Sequence, residues 1–277
     1  MNAVQLSQSE ASHHSNWTYV PEDMFDGPDG IWPCKDRDYD QLSAALAGGV
    51  LYAQSTQAVR ETQKFPEGAA LRIPARSRLI SDIHTLNTSS ETITGHLSLT
   101  LYAIPEADVT VKLAPFHVDY HGLQIPPKAT SRFSGACELQ SSFEAQGQPF
   151  ELDVYYLLPH THELGSRMFV EVYGGPDDNK TLIDVRGNIG EPRGRSFDPP
   201  VEVRGATGLR FGCEFQNPRD ETIGWGFDDQ EMCEALGFAK SPVIFETRIA
   251  TAESSGAEGD TQLFTGPCDT LAVEWDN

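Results

Sequence analysis

The chain has 277 residues, with 41 Asp and Glu against 20 Lys and Arg, a net charge of −21 and a pI near 4.6. A field of that sign excludes simple electrostatic capture by nucleic acid or by an anionic membrane surface. Hydrophobic residues make up 39% of the chain, enough to build cores and to argue against global disorder, and 24 glycines with 18 prolines point to many turns between short strands.

From the N-terminus, Met1 to Leu6 shows neither the basic region nor the apolar region of a signal peptide. No later run approaches the roughly 18 apolar residues of a membrane span. Residues 39–47 carry the pattern of a short helix. Leu97 to Leu101 and Val109 to Leu113 alternate apolar and polar residues, as do Phe150 to Tyr155, Val170 to Val172 and Val201 to Val203. A period of two predicts half-buried strands of antiparallel sandwiches. Turn signals fall between them at Gly27 to Gly30, Gly174 to Asp178, Asp198 to Pro200 and Asn217 to Asp220. Residues 229–238 offer a second short helix, and Thr251 to Asp260 reads as a small, acidic surface loop. A domain boundary is placed near Pro105 to Asp108, giving domains 1–107 and 108–277. The expected fold is all-β, two antiparallel β-sandwich domains of jelly-roll type.

All eight histidines lie between positions 13 and 162. His160 and His162 form an H-x-H after an apolar run, and on a strand residues i and i+2 project to one face. They either hold one metal ion together or stand as two exposed strand histidines. His13 and His14 are neighbours, which on a regular strand face opposite ways. They share a metal only where the strand is bulged, and are otherwise a solvated pair. His117 and His121 read as structural or exposed, and His96 heads an alternating strand. Asn16, Asn87 and Asn179 begin N-x-[ST] sequons, which mark surface where a host glycosylates. G-x-S-x-G, the phosphate-loop signature, H-E-x-x-H and C-x-x-C are all absent. A cupin is disfavoured because Val154 stands where its glycine belongs and no histidine follows His162.

Further segments change the weighing. Arg78 to Asn87 contains Ile83-His84 followed by Asn87. Phe211 to Phe215 contains Cys213, and it is followed by the turn Thr222 to Gly226 and by Glu231-Met232-Cys233. With His13-His14 and the H-T-H-x-L-G of His160 to Gly165, the chain resembles the copper type II, ascorbate-dependent monooxygenases, the family of peptidylglycine and dopamine β-monooxygenases. The resemblance runs from about His13 to Cys268.

The resemblance implies two copper ions, one held by His13, His14 and His84, the other by His160, His162 and Met232. Imidazoles suit copper in either oxidation state, and a thioether favours Cu(I); core packing is the ordinary fate of a methionine. The second copper would meet O2 and carry the catalytic chemistry, while the first stores and delivers an electron taken from ascorbate or a similar reductant. It also implies disulfides Cys213–Cys233 and Cys137–Cys268. Cys34 is left over from five cysteines, its family counterpart pairing upstream of the His-His strand. That leads to the expectation that the first domain is partial and that an export signal lies upstream, with an extracellular or periplasmic location. Three positions depart from the pattern. Leu158 replaces the arginine that binds a substrate carboxylate in peptide-amidating members, Leu236 replaces their substrate-binding tyrosine, and Ser15 replaces a methionine after the His-His pair. The expected activity is hydroxylation of a C–H bond of a small organic substrate, with no nucleic acid and no membrane span involved. A non-catalytic copper-binding or adhesion module on the same fold is the alternative.

Overall fold

Alternating apolar and polar residues fold here into short strands throughout. In this computed structural model 55% of residues are strand and 7% helix, an all-β architecture built from several antiparallel sheets. The structure describes the chain except residues 10–11, 55–57, 86, 88, 188–192, 227–228 and 276–277, together with the side chain of residue 42. Leu86, within the segment that carries His84, therefore lies outside the described residues. The chain divides into two compact units, Met1–Leu113 and Ala114–Asp276.

In the first unit, strand Ser12–Val20 lies between Gly49–Ala53 and Arg78–Thr85, antiparallel to both. A second three-stranded sheet sets Ala3–Gln8 between Arg60–Lys64 and Leu97–Tyr102. The expected short helix is Gln41–Ala47, and the Asp40 carboxylate caps it by accepting from the Ser43 amide at 2.8 Å. Val20, Ala44 and Ile80 form a core against Trp32 and Tyr39. Of Val109 to Leu113 only Val111–Lys112 is strand, because the preceding Glu106–Asp108 winds into a 3-10 turn.

The second unit is a sandwich of two six-stranded sheets. One runs in the order Thr181–Arg186, Gly165–Tyr173, Gly208–Asn217, Ala129–Glu138, Thr261–Thr265, Glu253–Glu258. The other runs Arg195–Val203, Leu152–Thr161, Cys233–Lys240, Ala114–Tyr120, Val243–Ile249, Asp269–Glu274. Neighbours are antiparallel except Ala129–Glu138 beside Thr261–Thr265 and Ala114–Tyr120 beside Val243–Ile249. Phe133, Phe211 and Phe215 of the first sheet share one core with Val118, Tyr120, Leu157 and Phe245 of the second. Cys137–Cys268 and Cys213–Cys233 are both bonded, with Cα atoms 5.2 and 5.8 Å apart. Cys34 is exposed and outside both.

Three expectations from sequence are corrected. Residues 229–238 contain no described helix: Cys233–Lys240 is a strand with a partner on each side, and Gly237 leaves the space that the Phe116 ring fills. Pairing and burial outweigh the helix preference of its Glu, Ala and Leu. Glu253–Glu258 within the expected loop is an exposed edge strand. Asp198 to Pro200 belongs to the edge strand Arg195–Val203, and the prolines fall in the stretch left unpaired between Ser196 and Val201, opposite a register shift at Val154/Tyr156. An edge bulge tolerates residues that lack an N–H. Gln140–Ala145 adds a helix that periodicity did not signal.

Candidate functional site

The first histidine group is assembled by one irregularity. Register along Ser12–Val20 and Arg78–Thr85 pairs His14 with His84 and shifts between Ser12 and His14. That bulge brings two adjacent histidines to one place. The Nδ1 atoms of His13 and His14 stand 2.8 Å apart, and the His84 ring stacks on His14 with centroids 4.3 Å apart. This is the separation of a hydrogen bond between the two rings, and also that of two nitrogens sharing one ion at about 2 Å each. Asp82 stands 3.6 Å from His84 Nε2 and accepts from Gln41 Nε2 at 2.5 Å. The His84 hydrogen bond, against burial, holds the Asp82 carboxyl below its ordinary range. The Cys34 thiol lies 3.9 Å from Asp82 and is pushed up by burial and by that charge.

The second group sits where Leu152–Thr161 leaves its sheet. The ladder pairs His160 with Glu234 and Thr161 with Cys233 and ends there, and His162 then meets Gln230 and Glu231, the two residues before Met232. His160 and His162 have ring centroids 5.1 Å apart, and Met232 is 6% exposed. Three ties hold the methionine segment. The Cys213–Cys233 bond anchors one end. Glu231 exchanges backbone hydrogen bonds with Gly224 and Gly226, at 3.0 and 3.1 Å. The buried Glu231 carboxylate accepts from the amides of His162 and Leu164, at 2.9 and 2.7 Å. Burial raises the Glu231 carboxyl, while these amides pull it back.

The tautomer of His162 follows from its partner. Its Nδ1 is 2.7 Å from the Gln230 carbonyl, which only accepts, so Nδ1 carries the proton and the neutral ring keeps its lone pair on Nε2. Two imidazoles, one with a nitrogen oriented in this way, and a thioether are donor types that suit copper, and imidazoles suit it in either oxidation state. Zinc and calcium sites do not call for a thioether.

Along the same face, Leu158 lies opposite Leu236, two positions from His160/Glu234. Beyond Glu234, His117 approaches it with Nε2 to Oε2 at 3.5 Å. Burial alone would lower His117 and raise Glu234; their mutual hydrogen bond and opposite charges overcome this, raising His117 to about 9 and holding Glu234 down to about 2. His117 and His121 are thus half-buried and matched to carboxylates rather than exposed. An open cleft of about 510 Å³, lined by residues such as Glu163, Arg167, Arg186 and Glu214, includes neither histidine of the H-x-H nor Met232. Sequence reading missed Glu231, Glu234, Gln230 and Asp82; only Glu231 carried a signal, its place beside Met232.

No family model matches the chain, and no curated protein matches it. Solved structures to which it is similar include the "Structure of infectious bursal disease virus Gx strain", at 8% identity and a TM-score of 0.22, with 86% of this chain and 55% of that chain covered. The chain spans about half the length of that protein, and so low a score carries no argument.

Proposed function

We propose that the protein is a copper-dependent monooxygenase that hydroxylates a C–H bond of a small organic substrate with O2 and an ascorbate-type reductant. The observation that supports the reading is the His13/His14/His84 cluster, together with His160 and His162 held against Gln230 and Glu231, the residues that lead into Met232, in each case from segments far apart in sequence. Copper bound at such sets supplies the one-electron steps that O2 reduction by ascorbate requires. The chain's own residues do the rest. Gln230 fixes the His162 tautomer, and Glu231 holds the H-x-H turn against the methionine segment. Asp82, braced by Gln41, orients His84.

The substrate end of the site is apolar. Leu158 and Leu236 face each other where peptide-amidating members place an arginine and a tyrosine, so no cation awaits a carboxylate at these two positions. An uncharged substrate suits that pair better than a peptide C-terminus. Two disulfides favour an oxidising compartment, so the proposed location is extracellular or periplasmic. Among the described residues no helix is long and apolar enough to cross a membrane.

Copper stoichiometry and oxygen uptake test the reading together. Two coppers per chain and ascorbate-dependent O2 consumption with an apolar substrate are expected, both O2 consumption and hydroxylation falling at least a hundredfold in Met232→Ala. One copper or none, without uptake, would leave a copper-binding or adhesion module instead. A Met232→Ala protein of normal activity would overturn the mechanism.

A further inference from the structure

One polar cluster of the second unit has no part in that reaction. His117 and Asp119 alternate along Ala114–Tyr120 and share a face, and the parallel strand Val243–Ile249 sets Glu246 beside His117. One ligand-type atom from each of His117, Asp119 and Glu246 lies within 4.8 Å of the other two. Asp119 is 2% and Glu246 8% exposed. The second carboxylate oxygen of Asp119 is taken by His121 Nε2 at 2.5 Å, but Oδ1 is buried with no hydrogen-bond partner. A buried acceptor left unmatched carries a desolvation penalty, larger when the group is charged, so such an atom asks for a ligand.

The surrounding charges ask for a cation. Asp119, Glu234 and Glu246 converge here, and the guanidinium among them is Arg248. It donates from Nη2 to Glu246 Oε1 at 2.8 Å, while its Nε, 4.0 Å from Asp119, makes no hydrogen bond. We propose that His117, Asp119 and Glu246 form a binding site for a divalent cation of the manganese-to-zinc class. Two carboxylates with one imidazole and no sulfur are the donors such ions take, and differ from both copper sets. An entering cation displaces one proton from the His117 ring, since a ligand imidazole is neutral. The site stands on its own residues, whether or not the copper reading holds.

Manganese(II) is the discriminating probe, because carboxylate oxygen suits it better than three imidazoles or a thioether do. The metal-stripped full chain is titrated with manganese chloride and free ion is counted by its EPR signal. One bound ion per chain is expected, with affinity reduced at least tenfold in Asp119→Asn and in Glu246→Gln and unchanged in Glu253→Gln on the exposed edge strand. Circular dichroism checks that each variant is folded. Electron-spin-echo spectra of the bound ion give a readout that needs no variant, and coupling to one imidazole nitrogen is expected. No binding at millimolar manganese, binding indifferent to both carboxylate variants, or coupling to several imidazoles or to none would overturn the site.

Discussion

His117 and Glu234 hold each other in their charged forms, and the consequence for stability has a definite sign. In the metal-free protein His117 is raised from 6.5 to about 9, so its contribution is full below pH 6.5 and is lost as pH rises through 9. Glu234 is lowered from 4.5 to about 2, so its contribution is full above pH 4.5 and is lost as pH falls through 2. The pair therefore stabilises most between pH 4.5 and 6.5. Because both side chains retain some solvent contact, we expect Glu234→Gln to cost only about 1–2 kcal/mol at pH 6. Urea denaturation at pH 6 and pH 9 checks this; a cost that fails to shrink at the higher pH would contradict the pairing. Nothing in the sequence joined these two residues. His117 was visible as one of a spaced histidine pair, but Glu234 and Glu246 reach it through strand register, which a linear pattern does not encode. Glu231 was visible beside Met232, yet its task, accepting two amides from a turn about 70 positions earlier, appears only once the ladder is formed.

At the scale of elements, alternation was legible where one face is wet. Leu97–Tyr102 shows it plainly, its odd positions half-buried and its even positions exposed. It failed for Cys233–Lys240, which is paired on both sides and buries much of both faces. The His13-His14 pair lay on the border of legibility. Sequence stated the condition, a bulge, and the ladder supplies one between Ser12 and His14. The two disulfides bear on separate properties. Cys137–Cys268 spans 131 positions and Cys213–Cys233 spans 20, so the chain-entropy model assigns the first about 5 kcal/mol and the second about 3. The shorter one, however, adjoins Met232. The double variant Cys137→Ala/Cys268→Ala should unfold at the lower denaturant concentration, while under the proposed copper reading Cys213→Ala/Cys233→Ala should lose copper at the second site first. Denaturation midpoints with elemental analysis separate the two. Copper loss that simply followed stability would show that the short bridge has no role in placing the methionine.

Over the whole molecule, the surplus of acid acts on any reductant that carries charge. Acidic residues outnumber basic ones by 41 to 20, and several arginines are already committed to carboxylates, Arg167 to Asp184 and Glu214 and Arg132 to Glu214 and Glu258. The outward field is therefore negative, and ascorbate at neutral pH is an anion that must approach against it. Screening shortens the reach of that field from about 10 Å at 0.1 M salt to about 3 Å at 1 M. Electrostatic steering changes association rates tenfold or more, here with the sign of repulsion. Under the proposed activity, kcat/KM for ascorbate should rise two- to tenfold between 0.02 and 0.3 M sodium chloride, while an uncharged reductant shows no comparable change. Oxygen-uptake rates with the two reductants, at fixed pH and saturating substrate, make the comparison. Equal salt responses would mean that reduction occurs where local positive charge cancels the field, and would point to a reductant docking site beside the arginines rather than free encounter with the acidic surface.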